Sequence, residues 1–145
     1  TEIVANENSS KIISEGVAMK NGDILEIGKI FEIEAVPAYN TTKDRLKYHP
    51  KDRDNGYIMT MDGFRIYIAG DTEDIPEMKN IKNINLAFLP VNQPYTMTPK
   101  QAANAAMMVN APILYPYHYG NTDINKLVEL LAKNKNIEVR IREMQ

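Results

Sequence analysis

The fold is decided by Ile66-Tyr67-Ile68-Ala69-Gly70-Asp71-Thr72, a short apolar run that ends in a glycine and an aspartate. Its β-branched residues predict a buried strand, and the Asp62-Gly63 turn before it predicts a hairpin with Tyr57–Met61. Gly70 lets the backbone bend sharply, so Asp71 follows the C-terminal end of a strand, where open α/β sheets usually bind ligands. Aspartate is also a favoured N-cap, so Asp71 could instead cap the helical turn that follows. These residues alone leave both interpretations open.

The composition is typical of one soluble globular domain of 145 residues, with 43% hydrophobic and 25% charged side chains. A net charge of −2 gives no electrostatic reason to expect nucleic acid or a membrane as a partner. The sequence also lacks an apolar run of about 18 residues, which a membrane-spanning helix would need. The absence of cysteine excludes thiolate metal sites and fits a cytoplasmic location. Any imidazole chemistry therefore depends on the two histidines, His49 and His118.

The first part of the chain predicts short elements and one long loop. A helix is expected over 6–14, a small hairpin over 17–27 around the Asn21-Gly22-Asp23 turn, and a strand from Ile30 that Pro37 ends. The polar stretch Ala38–Asn55 is then too long for an ordinary connection in a compact domain. Such a loop is usually functional and otherwise mobile.

The second part alternates strands and helices. Strands are expected over 84–89, 113–115 and 137–141. Thr98-Pro99-Lys100-Gln101 combines an N-cap, a proline at the first helical position and a capping-box glutamine, so a helix should start there and end near Asn110. Another helix should start near Asn121 or Thr122. The order predicts a layer of mixed sheet with helices on one face, which leaves the other face without a cover.

Asp71 and His118 each follow a buried strand of this predicted sheet. Two strands of one sheet would bring both residues to the same edge, where a carboxylate and an imidazole suit a divalent cation. Alternatively, His118 is a buried histidine whose ring bonds a backbone carbonyl. One aspartate and one histidine are also too few ligands for a metal site.

Four motifs in order resemble the metallo-β-lactamase fold, and most closely its branch of small bacterial metal-dependent hydrolases. They are Gly70-Asp71-Thr72, Leu89-Pro90-Val91, Tyr95–Pro99 with Gln101-Ala102-Ala103, and Pro116-Tyr117-His118-Tyr119-Gly120. The match runs from about Gly56 to the C-terminus and extends more weakly back to 36–40. The resemblance implies an α/β fold, a four-layer αββα sandwich of two similar halves. Residues 1–145 would form one partial domain, roughly the second half with the end of the first.

The resemblance also implies a set of site residues. Asp71 would be the catalytic carboxylate that bridges two metal ions, Zn²⁺ or else Mn²⁺, and His118 would bind the second ion. His49 is the only histidine that could supply a further ligand from the loop before Gly56, although it could equally be an exposed loop residue. Asn92, Tyr95 and Tyr117 would contact a small-molecule substrate near the rim, or be ordinary loop polar residues.

The implied function is that of a metal-dependent hydrolase in which metal-activated water attacks a carbonyl or phosphoester. The family's His-x-His-x-Asp-His segment is absent between Thr1 and Val36. We therefore expect a fragment of a longer protein with an incomplete site. The alternative is a non-catalytic half-domain that pairs with a second copy, another chain or the missing N-terminal half. A nuclease of the same superfamily would need a basic surface, which the net charge of −2 does not favour.

Overall fold

The computed structural model describes residues 3–144, and its elements follow the predicted order. The strands are β1 (Val4–Asn6), β2 (Val17–Met19), β3 (Ile24–Ile27), β4 (Phe31–Ala38), β5 (Asp54–Met61), β6 (Phe64–Ile68), β7 (Leu86–Pro90), β8 (Ile113–Tyr117) and β9 (Glu138–Val139). The helices are α1 (Glu7–Ile13), α2 (Pro99–Val109) and α3 (Asn125–Leu131), with 3₁₀ turns at Lys43–Arg45 and Pro76–Asn80. Thr1, Glu2 and Gln145 of the predicted domain lie outside the described residues.

The main sheet contains β3 to β9 side by side in chain order. Neighbouring strands are antiparallel from β3 to β6 and parallel from β6 to β9, so the predicted mixed sheet is confirmed. The predicted hairpin is also confirmed, because Tyr57 pairs with Ile68 and Met61 with Phe64 across the Asp62-Gly63 turn. β1 and β2 pair in parallel as a separate small sheet.

Helix α2 packs on one face of the main sheet. Leu89 and Leu114 on that face are fully buried, as are Ala102 and Ala105 of α2, whose small side chains allow the helix to approach closely. The predicted capping box is present: the Thr98 hydroxyl accepts from the Gln101 amide, and the Gln101 side chain accepts from the Thr98 amide. Among the described residues, no helix is long and apolar enough to span a membrane.

The opposite face of the main sheet is covered only in part. Over β4 and β5 the small sheet provides a cover, with Met19 buried against Ile33 and Ala35. Over β6, β7 and β8 the aligned side chains on this face are apolar and only half-buried. We call this surface the open face; it consists of Ile66, Ile68, Leu86, Phe88, Ile113, Tyr115 and Tyr117.

Four predictions about the elements were wrong, and one of them is the start of α3, which lies at Asn125 and not near Asn121 or Thr122. β2 and β3 do not form a hairpin, because the chain passes from the small sheet to the main sheet at Asn21-Gly22. Pro37 does not end its strand, because β4 continues to Ala38. The Ala35 amide donates to Asp23 O on the β3 side, and the amide two residues later in a strand would face the same side. The donor that Pro37 lacks would therefore lie beyond the end of β3. The last strand is limited to Glu138–Val139.

Candidate functional site

Asp71 lies just beyond β6, on the side of the main sheet where its parallel strands have their C-terminal ends. The backbone turns at Gly70 with φ +68°, and a Cβ at this position would lie 2.5 Å from the backbone oxygen of Asn55. The alternative that Asp71 caps the next helical turn is wrong, since that turn starts at Pro76 with Ile75 as its N-cap. The Asp71 carboxylate is therefore free of a structural capping role.

His118 lies beside Asp71 after the end of β8. Its Nδ1 is 3.1 Å from Asp71 Oδ1, and its side chain is 38% exposed, so it is not a buried histidine bonded to a carbonyl. Its backbone has φ +49°, a left-handed conformation that is unfavourable for residues other than glycine. The His118 amide donates to Met144 O at 2.8 Å, which helps to hold this conformation. Such strained residues cluster at functional sites.

His49 approaches the other oxygen of the same carboxylate. Its Nε2 is 3.5 Å from Asp71 Oδ2, and its side chain is only 17% exposed, so the interpretation of an exposed loop residue is wrong. The structure thus brings the three residues that were predicted as metal ligands into one cluster. Each oxygen of Asp71 faces a different imidazole.

Asp54 orients His49 and was missed from the sequence. Its Oδ2 is 3.0 Å from His49 Nδ1, on the side of the ring away from Asp71. Arg53 donates to both Asp54 oxygens, at 2.9 and 2.8 Å. Burial alone would raise the pKa of Asp54, but the hydrogen bonds from His49 and Arg53 outweigh it and hold this pKa below its ordinary value. Nothing in the sequence distinguishes Asp54 from Asp52 in the same polar loop.

Of the three predicted substrate contacts, Asn92 and Tyr117 lie near the cluster, and Tyr95 contacts Tyr48, the residue before His49. The side-chain oxygen of Asn92 lies 3.6 Å from the position that a Cβ on Gly120 would take, and Gly120 is two residues after His118. The Tyr95 ring is half-exposed and stands edge-on to Tyr48 with centroids 5.0 Å apart. Burial, followed by the nearby charge of Asp71, raises the pKa of Tyr117. Their contact with a substrate stays a prediction.

An apolar hollow of about 440 Å³ adjoins the cluster on the open face. Its lining consists of Ile68, Phe88, Tyr117, His118 and Met144. The open face therefore reaches the edge of the sheet at which Asp71 and His118 meet.

The side chains in the cluster contact one another directly. Across residues 3–144, no group of three or more histidine, cysteine, aspartate or glutamate side chains is already arranged to hold a metal ion. Asp71 and His118 face each other as a hydrogen-bonded pair, whereas ligands face a common point at about 2.0–2.2 Å. The donor types are nevertheless those that Zn²⁺ and Mn²⁺ accept, carboxylate oxygen and imidazole nitrogen.

Comparison with known proteins shows the family of this chain and the share of a relative's length that it spans. Residues 5–118 match the model of the beta-lactamase superfamily domain. A UPF0173 metal-dependent hydrolase of Ligilactobacillus salivarius is 37% identical over 118 residues, which are 76% of this chain and 52% of that protein. The chain thus spans about half the length of this curated relative.

Two solved structures share the fold. The crystal structure of a protein from Parabacteroides distasonis, provisionally assigned as a metal-dependent hydrolase, is 63% identical with a TM-score of 0.96. The match covers 100% of this chain and 66% of that one. The metallo-beta-lactamase fold protein YhfI of Bacillus subtilis is 14% identical with a TM-score of 0.75, over 99% of this chain and 62% of that one, and so supports the fold alone.

Proposed function

The chain belongs to the beta-lactamase superfamily, and from this premise we propose that it forms the larger part of a metal-dependent hydrolase. One observation carries the proposal: a single carboxylate lies between two imidazoles. Asp71 Oδ1 is 3.1 Å from His118 Nδ1, and Asp71 Oδ2 is 3.5 Å from His49 Nε2. These are the only two histidines in the sequence, and both meet at this residue.

The proposed ligands are Asp71, His118 and His49. Asp71 would bridge two divalent ions, Zn²⁺ or else Mn²⁺, with His118 and His49 on opposite sides of its carboxylate. Bound ions of this kind supply a Lewis acid and a nucleophile near neutral pH. Three side chains are too few for two ions, so we propose that the remaining ligands come from outside the 145 residues.

Other residues of this chain would orient the ligands and the substrate. Asp54 accepts a hydrogen bond from His49 Nδ1, which would leave Nε2, the ring nitrogen nearer to Asp71, to bind an ion. Tyr117 is protonated near neutral pH, as tyrosine ordinarily is, and burial raises its pKa further, so its hydroxyl can act as a donor. Asn92 and Tyr95 are proposed as further contacts to a substrate with a carbonyl or phosphoester group.

The charged side chains of the loop between β4 and β5, which carries His49, give little reason to expect an anionic substrate. Two of its arginines are already paired, Arg45 with Glu73 at 2.8 Å and Arg53 with Asp54 at 2.8 Å. Lys51 lies 3.8 Å from Glu77. The substrate class therefore rests on the family resemblance and not on charge.

We propose that further residues, which are not part of this chain, cover the open face in a longer protein. The apolar side chains there are half-buried, and the chain covers 66% of its Parabacteroides distasonis relative. The same face favours the alternative, a non-catalytic half-domain that pairs with a second chain. A cytoplasmic location also stays a prediction.

Calorimetric titration of the 145-residue chain with Zn²⁺ tests the proposed ligands. We expect Asp71→Asn to weaken binding by at least about tenfold, because it removes the charge between the two imidazoles. The control is Asp123→Asn, since Asp123 lies on the surface 4.0 Å from Lys126, and it should bind as the wild type does. Equal affinity of Asp71→Asn and the wild type, or no binding by either, would contradict the proposal.

A further inference from the structure

Glu73 is a fully buried carboxylate two residues after Asp71, with a side chain that is 0% exposed. Its Oε2 accepts three hydrogen bonds, from the Thr41 amide at 2.8 Å, the Thr41 hydroxyl at 2.8 Å and the Thr42 amide at 2.7 Å. Its Oε1 lies 2.8 Å from Arg45 Nη1. Every one of these partners belongs to the loop that carries His49.

The loop is closed on itself and tied to neighbouring segments. The Asn40 amide donates to His49 O at 2.8 Å, which joins the start of the loop to His49. The Asn40 side chain donates to Arg45 O and to Tyr95 O, at 3.2 and 2.7 Å. Through these bonds, a displacement at residues 41–45 would also move His49.

The backbone on the other side of this contact carries Asp71. Thr72, between Asp71 and Glu73, bonds Tyr39 through its hydroxyl, with distances of 3.0 Å to the amide and 2.9 Å to the carbonyl oxygen. The Glu73 amide also donates to Tyr39 O at 3.0 Å. The segment 71–73 and the start of the loop are therefore joined at Thr72 and Glu73 by side-chain and backbone hydrogen bonds.

A buried carboxylate is costly unless charged and hydrogen-bonding partners compensate it. Here the compensation comes from a single loop, so the carboxylate retains its partners only while that loop stays in place. The three hydrogen bonds to Oε2 and the ion pair of Oε1 with Arg45 therefore favour the loop conformation in which all four contacts are made. The contacts of Glu73 thus fix the position of the loop more than they stabilise the packing of the sheet.

We propose that Glu73 is a positioning residue that fixes the His49 loop against the segment carrying Asp71. It thereby sets the distance between His49 Nε2 and Asp71 Oδ2. This inference rests on the proposed function, in that His49 and Asp71 are taken as ligands of the same centre. The Glu73 side chain is fully buried and bonded to Thr41, Thr42 and Arg45, so it would act on the centre only through His49 and Asp71.

Amide hydrogen exchange by NMR on the 145-residue chain tests the inference without any metal. In Glu73→Gln, exchange of the amides of 40–49 should become about tenfold faster, the change expected for weakening one charge-assisted hydrogen bond. Amides of β5 and β7 should be unchanged. The matched control is Glu138→Gln, because Glu138 pairs with Arg140 at 2.7 Å on the surface.

A second variant covers the case in which Glu73→Gln does not fold. Thr41→Val removes a single hydroxyl donor from Glu73 Oε2 and should speed exchange in the same segment to a smaller extent. Unchanged exchange over 40–49 in the variants that fold would overturn the inference. Equal acceleration throughout the sheet would also overturn it, since it would indicate a general loss of stability.

Zn²⁺ affinity separates this inference from the proposed function. If the wild type binds Zn²⁺, Glu73→Gln should bind it about tenfold more weakly at a temperature at which both chains are folded. If binding is equal while the loop has loosened, His49 is not positioned by Glu73 and the inference fails. If the wild type binds no Zn²⁺, the proposed function fails, and the exchange data alone decide whether Glu73 fixes the loop.

Discussion

At the scale of single residues, a site position could be predicted where a residue that can bind a metal follows the end of a buried strand. Asp71 and His118 each follow an apolar strand, and parallel neighbours of one sheet end at the same edge. Asp54 and Glu73 could not be predicted in this way. Acidic residues are common in polar loops, and only the fold shows that one of them meets His49 and that the other is buried.

Gly70 should be intolerant of any side chain. Gly70→Ala places a Cβ 2.5 Å from Asn55 O and also forces alanine into a φ of +68°. We expect a loss of more than about 2 kcal/mol in the free energy of unfolding, measured in urea. Gly63→Ala is the matched control, because Gly63 has φ +78° but nothing within 4 Å. It should cost only the backbone strain, about 1–2 kcal/mol; equal losses in both variants would contradict the steric argument.

Asp54 should matter for metal affinity more than for stability. Asp54→Asn keeps the shape of the side chain but removes the charge that holds the His49 ring, so Zn²⁺ affinity should fall about 10- to 100-fold in calorimetric titration. Asp52→Asn, in the loop two residues before Asp54, should bind Zn²⁺ as the wild type does. Unchanged affinity in Asp54→Asn would show that the contact with His49 plays no part in binding.

At the scale of elements, local signals were reliable where turn and cap chemistry determines the structure. The β5–β6 hairpin and the start of α2 follow from Asp62-Gly63 and Thr98-Pro99. Tertiary context determined the elements that local signals did not predict. β2 joins the small sheet because β1 lies beside it, and α3 starts only at Asn125. Pro37 stays in β4 because its missing donor faces an edge that has no partner at that point.

The capping box should contribute to the stability of α2. Thr98→Ala removes the hydroxyl that accepts from the Gln101 amide at 3.1 Å, and should lower the free energy of unfolding by about 1 kcal/mol. Lys100→Ala, an exposed position in the same first turn, should change it by less than about 0.5 kcal/mol. Urea denaturation monitored by circular dichroism measures both; equal effects would contradict the assignment of the cap.

At the scale of the whole molecule, the order of four motifs was enough to predict the family, which the match over residues 5–118 confirms. The α/β class and the mixed sheet with helices on one face are also confirmed. The partial cover by β1 and β2 was not foreseen, because a parallel pair of three-residue strands has almost no sequence signal.

The open face should make the isolated chain associate. Its apolar side chains are aligned across three strands, so we expect the 145-residue chain to show a mass above 16.5 kDa in light scattering. Phe88→Glu, in the centre of this face, should restore the monomer. Met107→Glu, at an exposed position on α2, should not. A wild-type chain that is monomeric would contradict the expectation.

The central claim is that Asp71, His118 and His49 bind the same metal centre. The most direct measurement is a crystal structure of the chain grown with Zn²⁺, with anomalous difference maps collected above and below the zinc edge. We predict a zinc peak about 2.0–2.2 Å from the carboxylate of Asp71 and from an imidazole nitrogen of His118 or His49. A map with zinc bound elsewhere, and none at Asp71, would contradict the account.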